Sequence, residues 1–262
     1  MINLKKAALA GAGVAAIALV ATGANASHAW SDYHWGRTTT SFNLQVVDSV
    51  TSFWQLEYNT ALSEWSQSSK LDLTTTSADD SSRARKQCRM VSGKMRVCNA
   101  SYGFNGWLGL ASINIDSNHH ITQGTAKMND SYSSYWADPN EKRHVMCQEV
   151  GHVFGLGHTS EDGSTQNTCM DYSQSPTSIS PNQHDYDQLD AIYGHVDSYN
   201  TYALSSASLN AKIAADASAL PAGVPAGAIR VQQSKRHEDW IKADGKGGYF
   251  VFHVYLASKQ GK

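Results

Sequence analysis

Residues 147–158 read Cys147-Gln148-Glu149-Val150-Gly151-His152-Val153-Phe154-Gly155-Leu156-Gly157-His158, and Cys169-Met170-Asp171-Tyr172 follows shortly after. On an α-helix, residues four apart share a face, so Gln148 and His152 point the same way. Glu149 is offset by about 100° of helical rotation. Gly155 permits a sharp turn, because glycine enters left-handed conformations at little cost. Beyond that turn His158 folds back toward His152. Two neutral imidazoles with room for a water suit Zn2+. Glu149 is then placed to reach that water rather than the metal.

The rest of the chain sets the frame. Its 262 residues suffice for one good-sized domain with a small appendage. Charged residues make up 17%, below the roughly 25% usual for soluble chains, and a net charge of -2 gives no pull toward nucleic acid. Lys5 and Lys6, the apolar run Ala7 to Val20 and the A-x-A site Ala24-Asn25-Ala26 read as a cleaved export signal over residues 1–26. The run is short for a bilayer and no other stretch spans one, so a secreted, extracellular monomer without a membrane span is expected.

Four cysteines in an exported chain imply two disulfides. Cys88–Cys98 would staple a turn with Ser92-Gly93 at its tip. Cys147–Cys169 would tie the motif helix to the turn carrying Met170. A cysteine-rich zinc site is the weaker reading, because no close C-x-x-C pair exists.

Alternation over Thr39–Val47 predicts a strand, and apolar spacing over Phe53–Ser66 predicts a helix packed on a sheet. Leu71–Thr75 is short and β-prone, and Asp79–Lys86 reads as a polar loop. Six basic residues and no acidic one lie between Ser81 and Asn99, as on a solvated face. Trp107–Ile115 reads as a buried strand. Ile121–Met128, with Thr122, Thr125 and Lys127, reads as a polar sheet edge suited to pairing with an extended peptide. His119-His120 falls in the turn between these strands, either as a solvated turn or as a structural metal site. Asp138-Pro139 with Glu141 predicts the start of the motif helix, and Ser180-Pro181 the start of another.

After Tyr199 the composition changes. The expected division is a main domain over 27–199, an Ala/Ser/Pro-rich linker over 200–229, and a small basic β-rich extension over 230–262. Tyr249–Leu256 carries a strong strand signal. An extra strand packed on the main domain is the favoured reading, with targeting to a cell-wall or polysaccharide surface as the other.

The ordered run from Glu149 to Met170 resembles the metzincin metalloproteases, whose pattern is H-E-x-x-H-x-x-G-x-x-H followed by a Met-turn. Within that group the matrixin type is most similar. Trp35-Gly36-Arg37, the helix around Trp65, and Asp185 to Gly194 extend the likeness loosely over Tyr33 to Gly194. The resemblance implies an α+β fold. Its parts are a twisted, mostly parallel sheet with an antiparallel edge strand, an active-site helix, a Met-turn and a C-terminal helix. It also implies a Zn2+ endopeptidase acting on protein or peptide, with Glu149 as general base, His152 and His158 as ligands and Met170 packed beneath them. Tyr172 stands where some members carry a tyrosine near the metal.

Gln148 departs from the pattern, and three readings of it stay open. Its amide oxygen serves as a weak third ligand, or another residue such as Tyr172 completes the shell, or the site is impaired and the domain is a zinc-binding or adhesion module. His144 is no substitute, since it lies about 12 Å along the helix from His152.

Overall fold

The computed structural model describes residues 28–202 and 223–257. The expected export signal over 1–26 and most of the linker lie outside the described residues.

The centre is a mixed α+β arrangement on one twisted sheet. Its strands are β1 (His34–Trp35), β2 (Phe42–Ser49), β3 (Leu71–Ala78), β4 (Met95–Ala100), β5 (Trp107–Ile115), β6 (His120–Asn129), β7 (Ile229–Gln233), β8 (His237–Ala243) and β9 (Tyr249–Leu256). The order across the sheet is β3-β2-β4-β6-β5-β9-β8-β7, with β1 pairing to β6. The half formed by β3, β2, β4 and β6 is parallel. From β5 onward every pairing is antiparallel.

Two helices cover the parallel half. Helix α1 (Gln55–Trp65) buries Tyr58, Ala61, Leu62 and Trp65, one stripe at three- and four-residue spacing. A six-residue helix, α2 (Ser82–Gln87), occupies the stretch expected to be loop. Ser81 caps it by accepting from the Ala84 amide. Helix α3 (Pro139–His152) carries the motif and starts as expected, with the Asp138 side chain accepting from the Asn140 amide at 2.9 Å. Helix α4 (Gln183–Ile192) starts two residues later than Ser180-Pro181 predicts, because Asn182 and Asp185 cap it reciprocally. No described helix is long and apolar enough to cross a membrane.

One expectation about the sheet needs correction. β6 is not an edge: it lies between β4 and β5. Two of its polar residues find a partner inside, the Thr122 hydroxyl and the Gln123 amide donating to Asn114. Hydrogen-bonding capacity rather than exposure explains their polarity. β5 is antiparallel and buried along its whole length, as its sequence reads. β9 covers it in a long register from Trp107↔Leu256 to Ile115↔Tyr249. The C-terminal strands therefore extend the main sheet.

Both cysteine pairs close as expected, Cys88 with Cys98 and Cys147 with Cys169. Cross-links of this kind suit an oxidising compartment.

Candidate metal centre

α3 ends at His152, and the turn that follows depends on Gly155. Its φ is +90°, and a β-carbon there would stand 1.9 Å from the Tyr33 carbonyl oxygen. Only glycine lets the N-terminal segment run this close. That segment then clamps the turn: the Trp30 amide donates to the Gly155 carbonyl and Ala29 bridges Leu156. The chain emerges with His158 facing His152, their Nε2 atoms 3.0 Å apart.

The turn holding Met170 packs directly beneath α3. A β-carbon on Gly151 would meet Met170 Sδ at 2.7 Å, so this residue too must be small. Asp171 organises the turn, accepting from the Gln166 and Ser173 amides and from the Ser178 hydroxyl.

Gln148 is fully buried, and its amide nitrogen donates to two carbonyls of this turn, Cys169 and Asp171, each at 2.9 Å. Two acceptors fix which end of the amide faces the turn. Its Oε1 has no hydrogen-bond partner. The residue in the deviant position thus joins helix and turn.

A third imidazole stands beside His152 and His158. It is His253 of β9, with ring centroids 4.1 Å from His152 and 4.7 Å from His158. One nitrogen from each of the three lies within 4.8 Å of the others. The far side of each ring faces an acceptor. His152 Nδ1 is 2.8 Å from the Leu156 carbonyl, and His253 Nδ1 is 2.8 Å from Asp239 Oδ1. His158 Nδ1 is 3.6 Å from Glu161 Oε1. At His152 and His253 these acceptors hold the proton on Nδ1 and leave the Nε2 lone pair for a cation. Burial, followed by the neighbouring imidazoles, keeps all three rings well below the usual histidine range and therefore neutral. Neutral, buried and convergent nitrogens fit Zn2+.

A cavity of about 190 Å3 opens beside the three rings, with Trp30, Glu161, Gln232 and Asp239 in its walls. The Tyr172 hydroxyl is 3.0 Å from His253 Nε2, so this side chain belongs to the cluster. Glu149 is fully buried and does not line the cavity. A β-carbon on Gly109 would lie 2.4 Å from its Oε1, which places the carboxylate against β5. Burial pushes the group well above the ordinary carboxylate range, against the smaller opposing pull of the Ala111 backbone. A dication nearby would reverse that preference.

The sequence reading did not single out His253, Asp239, Glu161 or His237. His237 is also buried, near Glu161 and stacked on Tyr172. A signal was present. His253 stands between Phe252 and Val254 in an otherwise apolar strand, on the face shared by Val251 and Tyr255.

No family profile and no curated protein matches the chain. Among solved structures, the chain is similar to archaemetzincin from Archaeoglobus fulgidus, crystallised with malonate. The likeness has 15% identity and a TM-score of 0.31, and covers 56% of this chain and 99% of that one.

Proposed function

We propose that this chain is an exported zinc-dependent endopeptidase whose metal is held by His152, His158 and His253. The observation that carries the reading is the orientation of the three rings: each turns Nδ1 toward an oxygen acceptor and a nitrogen toward the other two. Bound zinc supplies a Lewis acid that acidifies water and polarises a carbonyl. With the ion bound, Glu149 would turn from its place against β5 toward the cavity, where it would take the water's proton and return it to the leaving amine. Tyr172, once its hydroxyl is freed from His253, would donate toward the developing oxyanion. Gln148 acts as a positioning residue that fixes the turn under the ligands.

A peptide substrate is supported by the sheet. β7 is an edge with all five residues exposed, and Gln232 within it reaches Glu161 on the cavity wall. An extended peptide adding to β7 would run past the metal.

A second reading, a zinc-binding module without turnover, is favoured by one observation: β9 pairs with β5, where the Glu149 carboxylate is sealed. The mature protein, loaded with Zn2+ and offered a peptide library, separates the two. An endopeptidase cleaves, and Glu149→Gln abolishes cleavage while keeping zinc. Absence of cleavage by the zinc-loaded wild type would overturn the enzyme reading in favour of the module.

A further inference from the structure

A second cluster of nitrogen and oxygen donors lies away from this centre, where the chain leaving α4 meets β1. His34 Nε2, His195 Nε2 and Asp197 Oδ1 form a tight triangle. The two nitrogens are 3.2 Å apart, and they lie 3.5 and 3.3 Å from the oxygen. Ligands about 2.0–2.1 Å from a tetrahedral zinc stand about 3.3–3.4 Å from one another, so the triangle has the dimensions of one tetrahedral face. The rings of His34 and His195 are nearly perpendicular, at 81°.

The proton on His34 Nδ1 leaves a ring nitrogen open to a cation. His34 Nδ1 lies 2.7 Å from the Asp32 carbonyl and must donate to it. In the neutral ring Nε2 is then a lone pair, aimed at a carboxylate oxygen. Asp197 is anchored from the other side, where its Oδ2 accepts from the Arg37 amide at 2.9 Å. His120 Nε2 lies 3.3 Å from the same Oδ1, while its own Nδ1 is buried without a hydrogen-bond partner, 3.8 Å from Asp116 Oδ2. The backbone around the cluster is also fixed. Arg37 reaches the carbonyls of Tyr193 and His195, and the Gly36 amide donates to Thr201.

We propose that His34, His195 and Asp197 bind a second divalent ion of the zinc class, with His120 orienting the carboxylate and solvent completing the shell. The half-exposed His195 provides the entry side. The other donor cluster near the N-terminal lead differs in kind. There Asp185 is already used by the Asn182 amide and the Thr168 hydroxyl, as well as by His28.

The second ion would act at a distance on the first centre. β1 continues the segment whose Trp30 packs edge-on against His152 and His253. Pinning His34 to the chain beyond α4 therefore holds one wall of the catalytic cavity.

The test uses the mature full-length protein, equilibrated with excess Zn2+ and freed of loose metal by gel filtration. Metal content per chain is then compared across variants. Relative to wild type, His195→Ala should lose one equivalent, His253→Ala should lose one, and the double variant should lose two. In the His253→Ala background, added Zn2+ should raise the melting temperature, and adding His195→Ala should abolish that rise. Equal metal content in wild type and His195→Ala would overturn the proposal and leave a histidine–carboxylate cluster. So would a zinc-induced rise in melting temperature that survives His195→Ala. Neither outcome depends on whether the first centre turns over substrate.

Discussion

Asp239 and His253 are directly opposed cross-strand partners in the β8–β9 hairpin, and the carboxylate accepts from His253 Nδ1 at 2.8 Å. One hairpin thus delivers both a metal-facing imidazole and the group that sets its tautomer. Partners of this kind typically contribute about 10–100-fold to metal affinity. Asp239→Asn should therefore weaken Zn2+ binding by about that factor, measured by competition with a chelator. Unchanged affinity would place His253 outside the ligand set.

Gln148→Ala separates a ligand from a strut. Two buried carbonyls lose their donor, so the variant should be less stable by about 2–4 kcal/mol, while zinc content per chain stays at the wild-type value. Loss of zinc from a folded variant would show that the amide oxygen is a ligand after all.

Gly155→Ala tests the turn between the two histidines. A methyl group there meets the Tyr33 carbonyl in a backbone conformation that alanine resists. Strain and displacement together should cost about 2–4 kcal/mol. Because His158 follows this turn, zinc affinity should fall with stability, read by denaturant titration with and without metal. A variant as stable as wild type would mean that the N-terminal segment moves aside freely.

His144 gives a signed pH dependence. It is fully buried, its Nδ1 donates to the Ser178 carbonyl at 2.5 Å, and its Nε2 has no hydrogen-bond partner. Burial, the largest cause, lowers its pKa from the ordinary 6.5. Between the folded and unfolded values the unfolded chain binds more protons. The stability is therefore complete above 6.5 and is lost as pH falls from there toward the folded value. In metal-free protein, His144→Leu should shrink the drop in melting temperature between about pH 7.5 and pH 5.5. An identical drop would assign the acid sensitivity to other groups.

The local elements were legible because their signals are local. Asp138-Pro139 starts α3 as its capping chemistry requires, the apolar spacing of Tyr58, Leu62 and Trp65 forms α1, and both cysteine pairs close. Sheet order was less so. Thr122 and Gln123 look like solvent-facing residues, and only the fold shows that Asn114 satisfies them. The site was legible as far as residues 148–172 carry it. His253 was not, because no periodicity links it to His158, and its partner Asp239 becomes adjacent only when β8 and β9 pair. Gln148 shows the same limit: its spacing says where the amide points, and only the packed turn shows which carbonyls it meets.

The position of β9 also bears on the order of assembly. Tyr172 and His253 touch although 81 positions separate them, across a sheet pairing that cannot form until β5 and β9 have both been made. Contacts of such long sequence separation form late, because loop closure must precede them. The motif helix and its Met-turn, locked by Cys147–Cys169, can mature first with only two imidazoles in place. On the zinc reading, tight metal capture waits for the last hairpin to dock, so a chain whose C-terminal strands have not yet paired holds no finished site.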